Sequence, residues 1–237
     1  MAQLQLTCRM VSQPLMPMKN PSPPSTARRR ARSKLEQRQT SIELLLAAAL
    51  RLFVSQGYRA TNLEQISGAA KLTKGAVYFY FRSKEAVLLE LLKMVQDIVV
   101  DRAISTVEGS GGSPVDRLVT YVHYQAKLGI THRDEVLLLI LMSLEFKERE
   151  GEVNDFITKL SERQRRFIEE LVKEGQDRGE FRSDVRSREL ATTVLAINDG
   201  TFLEWFRRSR SLKGGELVRA LRTMVLGGLI QPSIPNR

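Results

Sequence analysis

Apolar residues recur at helical spacing along most of the chain. Leu46, Ala49 and Phe53 stand at positions i, i+3 and i+7, which places them on one face of a helix. Similar periods continue beyond residue 84, and no segment alternates apolar and polar residues convincingly, as a half-buried strand would. The pattern therefore predicts an all-α fold.

Breakers and capping residues divide this pattern into helices. Thr61 and Glu64 have the spacing of a capping box, so they are expected to open the second helix. Thr73 and Ser83 are the expected N-caps of the next two. After a first helix that ends before Gly57, the predicted helices span roughly 62–69, 74–80, 84–107, 114–130, 133–148, 152–178, 186–209 and 215–230.

The amino-terminal segment 1–38 lacks a helical or strand period. It contains five of the eight prolines, followed by a basic block, and this composition predicts a disordered arm. The segment carries eight basic residues and one acidic residue, out of a net charge of +10 for the whole chain. A charge concentrated at one end favours a polyanionic partner there, although a solubilising tail would have the same composition.

Several classes of protein are disfavoured by the composition. One cysteine, Cys8, allows no intramolecular disulfide or cysteine-based zinc site, and two histidines argue against a His-rich metal centre. We expect no metal, no cofactor and no catalytic residue. Because no apolar run is long enough for a membrane span and no stretch resembles a signal peptide, a cytoplasmic protein is expected.

Two short helices between Thr61 and Phe81 have the arrangement of a helix–turn–helix. Val77 and Phe81 are expected to face the core. The outward side of the second short helix would then carry Lys74, Tyr78 and Tyr80, with the small residues Gly75 and Ala76 at its start. An ordinary three-helix packing unit would show the same pattern.

The segment SIELLLAAALRLFVSQGYRATNLEQISGAAKLTKGAVYFYFRSKEAVLLELL resembles the amino-terminal domain of the TetR family of bacterial transcriptional regulators. The matching features are AA-x-x-LF-x-x-x-GY at 48–58, Thr61, Ile66, the turn at 73–75, the aromatic run at 78–81 and Ser-Lys-Glu at 83–85. The resemblance implies a homodimeric regulator that binds a palindromic double-stranded DNA operator. It most often implies a repressor released by a small effector.

The resemblance also implies roles for single residues. Residues expected to contact phosphates are Thr61, Tyr78, Tyr80 and Lys84, and those expected to meet base edges are Thr73, Lys74, Gly75 and Ala76. Beside this unit, Arg28, Arg29 and Arg30 would act as an arm that enters the adjacent minor groove. Lys71 replaces the usual glycine of the turn, so it is expected in a left-handed conformation. Gly68 is expected to weaken the second helix.

The carboxyl-terminal part is expected to bind the effector and to dimerise, which divides the chain into 1–38, 39–90 and 91–231. Candidate lining residues of an effector pocket are Tyr121, Tyr124, Met142, Phe146, Phe167, Asn198 and Phe202, with Trp205 and His123 as further candidates. Candidate dimer residues are Leu190, Val194, Ile197, Leu217, Leu221 and Val225, since the last two helices are apolar on two sides. Both sets would equally suit an internal core.

The part of the chain after residue 90 carries almost no net charge, and this favours a small apolar effector. Two other functions remain open at this stage. One is a DNA-binding regulator without an effector, and the other is an all-helical enzyme, for which the sequence shows no nucleophile, zinc or phosphate-loop motif.

Overall fold

The computed structural model describes residues 26–208 and 211–230, and only the backbone for residues 26–33. These residues form an all-α fold, as the apolar periods predict. The helices are α1 (Thr26–Gln56), α2 (Leu63–Ala69), α3 (Lys74–Tyr80), α4 (Lys84–Val95), α5 (Arg102–Ser110), α6 (Pro114–Thr131), α7 (Arg133–Glu145), α8 (Glu152–Asp177), α9 (Ser187–Arg208) and α10 (Gly214–Leu229). In the described ranges no helix combines the length and apolar character that a membrane span needs.

The first helix begins earlier than the sequence analysis predicts. Residues 26–38 are helical, so the expectation of a disordered segment is wrong for them, and residues 1–25 lie outside the described part. The reason is local, because residues 27–38 contain no glycine or proline and are rich in Ala, Arg, Lys, Leu, Glu and Gln, which favour helices. The described residues divide into two compact units, one that ends at Thr40 and one that begins at Ser41.

Two apolar cores stabilise the second unit. The first joins α2 and α3 to α1, α4, α7 and α8, with Phe53, Ile66 and Val77 fully buried. The second lies among α5, α6, α8, α9 and α10 and includes Phe181. The first core continues from α2 and α3 into the longer helices and so holds the two short helices in place. Neither short helix has enough apolar surface to form a stable core alone.

Asn62, rather than Thr61, is the N-cap of α2. Its Oδ1 accepts from the Gln65 backbone N–H at 2.8 Å, and Gln65 Oε1 accepts from the Asn62 N–H at 2.8 Å. The box therefore lies one residue later than predicted, because the Thr61 side chain turns into the protein. Ser83 caps α4 as predicted, accepting from the Ala86 N–H at 3.1 Å.

The turn between α2 and α3 has the predicted left-handed residue. Lys71 has a φ of 56° and is the one non-glycine residue with positive φ among those described. For a residue with a Cβ this conformation costs roughly 1–2 kcal/mol. The turn geometry is therefore kept at the expense of some local stability.

A π-helical segment, Gln96–Asp101, joins α4 to α5 where the sequence predicts one uninterrupted helix. The Tyr124 hydroxyl on α6 donates to the Ile98 carbonyl at 2.9 Å, and Arg163 on α8 pairs with Asp101 at 3.0 Å. The wider turn is thus held by contacts from two neighbouring helices.

Candidate nucleic-acid interface

The outward side of α3 is unusually aromatic. Val77 is fully buried and Phe81 nearly so, as predicted, whereas Tyr78 is 49% exposed and Phe79 is 79% exposed. The rings of Phe79 and Tyr80 meet edge to face with their centroids 5.0 Å apart, and Tyr80 also packs against the first core. Phe79 was not among the predicted DNA contacts, although its place two residues from both Val77 and Phe81 already puts it on the outer face of the helix.

The start of α3 presents small and polar groups. Thr73 is an exposed N-cap whose hydroxyl makes no capping hydrogen bond. A Cβ built on the exposed Gly75 would meet no atom within 4 Å, so packing gives no reason for a glycine there. Ala76 is half-buried. Together these residues leave room for another molecule to approach the backbone closely.

Lys74 is exposed, as expected, and forms an ion pair with Glu64 of α2. This hydrogen-bonded carboxylate raises the pKa of the Lys74 ammonium group. Because both side chains are more than half exposed, water screens the pair and it contributes little stability. The ammonium group can therefore exchange Glu64 for another acceptor.

Thr61 is directed into the protein. The residue is 1% exposed, its Oγ1 donates to the Gly57 carbonyl at 2.8 Å, and it accepts from Gln56 Nε2 at 3.1 Å. This differs from the predicted phosphate contact, because the hydroxyl is buried and already has both partners. Its evident role is to fix the loop between α1 and α2.

Lys84 also differs from its predicted role. Its Nζ donates to the carbonyl oxygens of Tyr58 at 2.7 Å, Thr61 at 2.7 Å and Arg59 at 3.4 Å, and it lies 4.3 Å from the centre of the Tyr58 ring. All three N–H groups thus have acceptors within the protein. Burial and the Arg149 charge lower the pKa of this ammonium group. We assign Lys84 the structural role of holding the α1–α2 loop against α4.

A charged junction connects the same loop to α7. Arg59 Nε pairs with Glu145 Oε1 at 2.6 Å, and Arg149 pairs with the same carboxylate. The hydrogen bond from Arg59, with the Arg149 charge, lowers the pKa of the Glu145 carboxyl. Below it the rings of Tyr58 and Phe146 meet edge to face at 5.0 Å. The loop that leads into α2 is therefore anchored on the carboxyl end of α7.

Arg28, Arg29 and Arg30 lie in the first turns of α1, but their side chains are outside the described part of the chain. Their predicted minor-groove contact stays a prediction.

A cavity of 350 Å³ lies between α6, α7, α9 and the start of α10. Of the predicted effector residues, Asn198 and Phe202 line it, as do Trp205 and His123. Gln125, which was not among the predicted residues, is buried and also lines the cavity. The available signal was a polar residue within the apolar α6 stripe formed by Leu118, Tyr121 and Leu128.

The other predicted pocket residues do not line this cavity, because they are packed in the two cores. Tyr121 is in the second core, Met142 and Phe146 are in the first, and Phe167 packs against the second. Tyr124 is held by its bond to Ile98. The helical spacing of these residues came from ordinary core packing.

The predicted dimer stripe mostly faces the chain's own interior. Val194, Leu221 and Val225 are buried in the second core, and Leu190 and Ile197 pack against it. A sixth residue, Leu217, lines the cavity, as does Leu221. The exposed positions of α9 and α10 carry small residues, among them Ala196, Gly200, Ala220 and Gly227, beside Met224 and charged residues such as Arg188, Asp199 and Arg219.

Comparisons with family models, with related sequences and with solved structures all indicate the same protein family. The family model of the bacterial regulatory proteins of the tetR family matches residues 45–91, and that of a tetracyclin repressor-like C-terminal domain matches residues 111–229. The MbdR regulator from Azoarcus sp. CIB is 40% identical, covers 81% of this chain and 100% of its own, and has a TM-score of 0.73. The transcriptional repressor KstR2 from Rhodococcus jostii is 29% identical over 199 residues, which are 79% of this chain and 90% of KstR2.

A similar fold occurs in AibR, whose crystal structure contains isovaleryl coenzyme A and operator DNA. It is 22% identical, covers 78% of this chain and 97% of its own, and has a TM-score of 0.68. The family matches cover the α2–α3 pair with its exposed aromatic face as well as the helical body that supports it. The chain belongs to the TetR family of bacterial regulatory proteins, and it is a DNA-binding transcriptional regulator.

Proposed function

We propose that this protein is a homodimeric repressor that binds a palindromic operator through α3 and releases it when a small molecule fills the cavity. The observation that carries the proposal is the outward face of α3. It combines a free Thr73 hydroxyl, an unhindered Gly75 and an exposed Phe79 on one short helix. Such a surface has no use within the chain itself.

Each group on this face suits one part of a DNA duplex. Thr73 and Lys74 can hydrogen-bond to base edges in the major groove, and the Phe79 ring can contact a thymine methyl group. The hydroxyls of Tyr78 and Tyr80 suit phosphate oxygens, which position a protein without reading sequence. Lys74 would exchange its exposed partner Glu64 for a base acceptor.

The dimer forms through the exposed sides of α9 and α10. Ala196 and Gly200 on α9, with Ala220 and Gly227 on α10, allow the backbones of two protomers to approach closely, and Met224 adds exposed apolar surface. A two-fold pair of α3 helices can read two half-sites, which a single seven-residue helix needs for useful affinity.

The cavity and the DNA-binding loop share α7. Val136, near the amino end of α7, lines the cavity, and Glu145 at its carboxyl end pairs with Arg59. A ligand that shifts α7 would change the support of the loop before α2. Release from the operator then follows as a population shift between two orientations of the α2–α3 pair.

The proposal is tested by footprinting the purified protein on its own promoter region. We expect one protected inverted repeat, lost when the right metabolite is added, and a solution mass twice the 26.9 kDa of the chain. Acyl-coenzyme A esters, one of which is bound in the AibR structure, are among the first metabolites to screen. A monomer at micromolar concentration or an asymmetric footprint would contradict the dimer. Unchanged footprints across a broad screen would contradict the effector.

The arginine cluster at 28–30 should contribute to DNA affinity through phosphate charge. Replacing Arg28, Arg29 and Arg30 together with Gln keeps good helix formers while removing three charges. We expect weaker operator binding and a slope of log affinity against log salt that is smaller by about 2–3, because fewer counterions are released. Removing residues 1–34 should have at least the same effect. An unchanged affinity and slope would assign the segment a solubilising role.

A further inference from the structure

The α2–α3 pair contains one acidic side chain. In the stretch 57–84, which includes both helices and the loops beside them, Glu64 is the only acidic residue, against five Arg and Lys residues. Its carboxylate pairs with the Lys74 ammonium group at the start of α3. A negative charge on a surface that approaches phosphates weakens binding to every DNA sequence alike. Attraction to phosphates therefore does not account for Glu64, which leaves the bases and the α2–α3 pair itself as its possible partners.

The contribution of Glu64 to the fold is small. Among the described residues its carboxylate pairs only with Lys74, and both side chains are more than half exposed, so water screens the pair. The capping box at the start of α2 is completed by Asn62 and Gln65 without it. The carboxylate thus lies beside the one ammonium group that would meet a base edge, and the bases are its more significant partners.

A G·C pair offers the complement of this ion pair in the major groove. Guanine O6 accepts hydrogen bonds and cytosine N4 donates them, and the two atoms lie about 3 Å apart because they are bonded to each other. An ammonium and a carboxylate in contact present a donor and an acceptor at similar spacing. Lys74 has three N–H groups, so it can turn to guanine while the carboxylate of Glu64 accepts from N4.

The other base pairs fit the Lys74–Glu64 pair less well. In a T·A pair the thymine O4 suits the ammonium group, but adenine N6 stands beside the acceptor N7, which repels a carboxylate. In the two reversed pairs, C·G and A·T, the ammonium group would face an amino group and the carboxylate would face a carbonyl oxygen. The order of the two charges therefore favours one base pair in one orientation.

We propose that Glu64 is a specificity-determining residue that reads one G·C pair together with Lys74. Lys74 donates to guanine, and Glu64 accepts from the N4 amino group of the paired cytosine. The inference rests on the proposed function, in which Lys74 meets a base edge. Because Glu64 also repels phosphates, it lowers the affinity for DNA that lacks this base pair.

Base preference is measured by selecting bound duplexes from a random library with the full-length protein. We expect the unmodified protein to prefer G·C at one position of its site by roughly tenfold over the other base pairs. In Glu64→Ala and in Lys74→Met this preference should fall below about twofold, while the preferences at other positions persist. In Glu64→Gln the position should accept adenine in place of cytosine, since an amide side chain can pair with N6 and N7 of adenine.

Glu90→Ala is the matched control, because it removes one carboxylate from a similar ion pair. Glu90 pairs with Lys93 at 3.2 Å on α4, outside the α2–α3 pair. This variant should keep the G·C preference. On a scrambled duplex Glu64→Ala should bind severalfold more tightly than the unmodified protein, and its slope of log affinity against log salt should be steeper by up to about 0.9, because Lys74 becomes free for a phosphate. Glu90→Ala should show neither change.

A G·C preference that survives Glu64→Ala would overturn the proposal, as would a selected site without any preferred G·C pair. A role confined to the first turn of α2 predicts an equal change of affinity for all duplexes, and that result would overturn it too. The selection assumes neither a promoter nor a palindrome. A site without an inverted repeat would therefore contradict the palindromic operator of the proposed function, while the base preference at each position could still be compared between variants.

Discussion

Replacing Lys84 with Met is expected to lower the free energy of unfolding by about 1–3 kcal/mol. The methionine keeps the apolar length of the side chain but removes the donors to the carbonyls of Tyr58 and Thr61. Because Lys84 is half-buried, water can reach part of the vacated site, and this keeps the expected loss within that range. Urea unfolding at a fixed protein concentration measures it, since dimerisation would shift the apparent stability.

Lys93→Met is the matched control on the same helix. Lys93 is exposed and, among the described residues, pairs only with Glu90, at 3.2 Å, so its replacement should change stability by less than about 0.5 kcal/mol. If the two variants were equally stable, the three carbonyl contacts of Lys84 would contribute nothing to the stability of the fold.

The Lys84→Met variant also separates the structural role from the phosphate contact that the family resemblance implies. A structural role predicts weaker operator binding with an unchanged slope of log affinity against log salt, because no counterion release is lost. A phosphate contact predicts a slope smaller by about 0.9. Measuring operator affinity at several salt concentrations therefore decides between them.

The positions of the helices could be predicted from the sequence because their signals are local. Ser83 and Pro114 mark helix starts that the structure confirms, and α3 has the predicted bounds. The left-handed Lys71 also followed from its place in a turn motif. The helical start at Thr26 was missed because the prolines up to Pro24 and the charge dominated the interpretation of a segment that is itself rich in helix formers.

The directions of side chains could not be predicted in the same way. Thr61 and Lys84 were assigned to the surface, but both are bound within the protein. The partners of Thr61 lie four and five residues earlier in the chain, whereas Lys84 binds carbonyls up to 26 residues away that only the tertiary structure brings near. Likewise, Tyr121 and Phe202 both lie on apolar helix faces and both are buried in a core, yet only Phe202 also lines the cavity. Periodicity identifies an apolar face and leaves open what covers it.

Gly75→Ala is expected to stabilise the protein and to weaken DNA binding. Alanine in a helix is favoured over glycine by about 0.5–1 kcal/mol, and the added methyl group meets no atom of the protein within 4 Å. At the exposed start of α3 the same methyl group would occupy the space between the backbone and a base edge. We expect operator affinity to fall at least tenfold, measured by fluorescence anisotropy, while urea unfolding shows the gain in stability.

Gly68→Ala separates these two effects. Gly68 is an exposed helical glycine of α2 that is also without neighbours within 4 Å of an added Cβ, but it lies outside the proposed DNA-facing surface. Its alanine variant should gain similar stability and retain operator affinity. If both variants bound DNA like the unmodified protein, the start of α3 would not approach the bases closely. If both lost affinity equally, rigidity of the α2–α3 pair rather than steric fit would control binding.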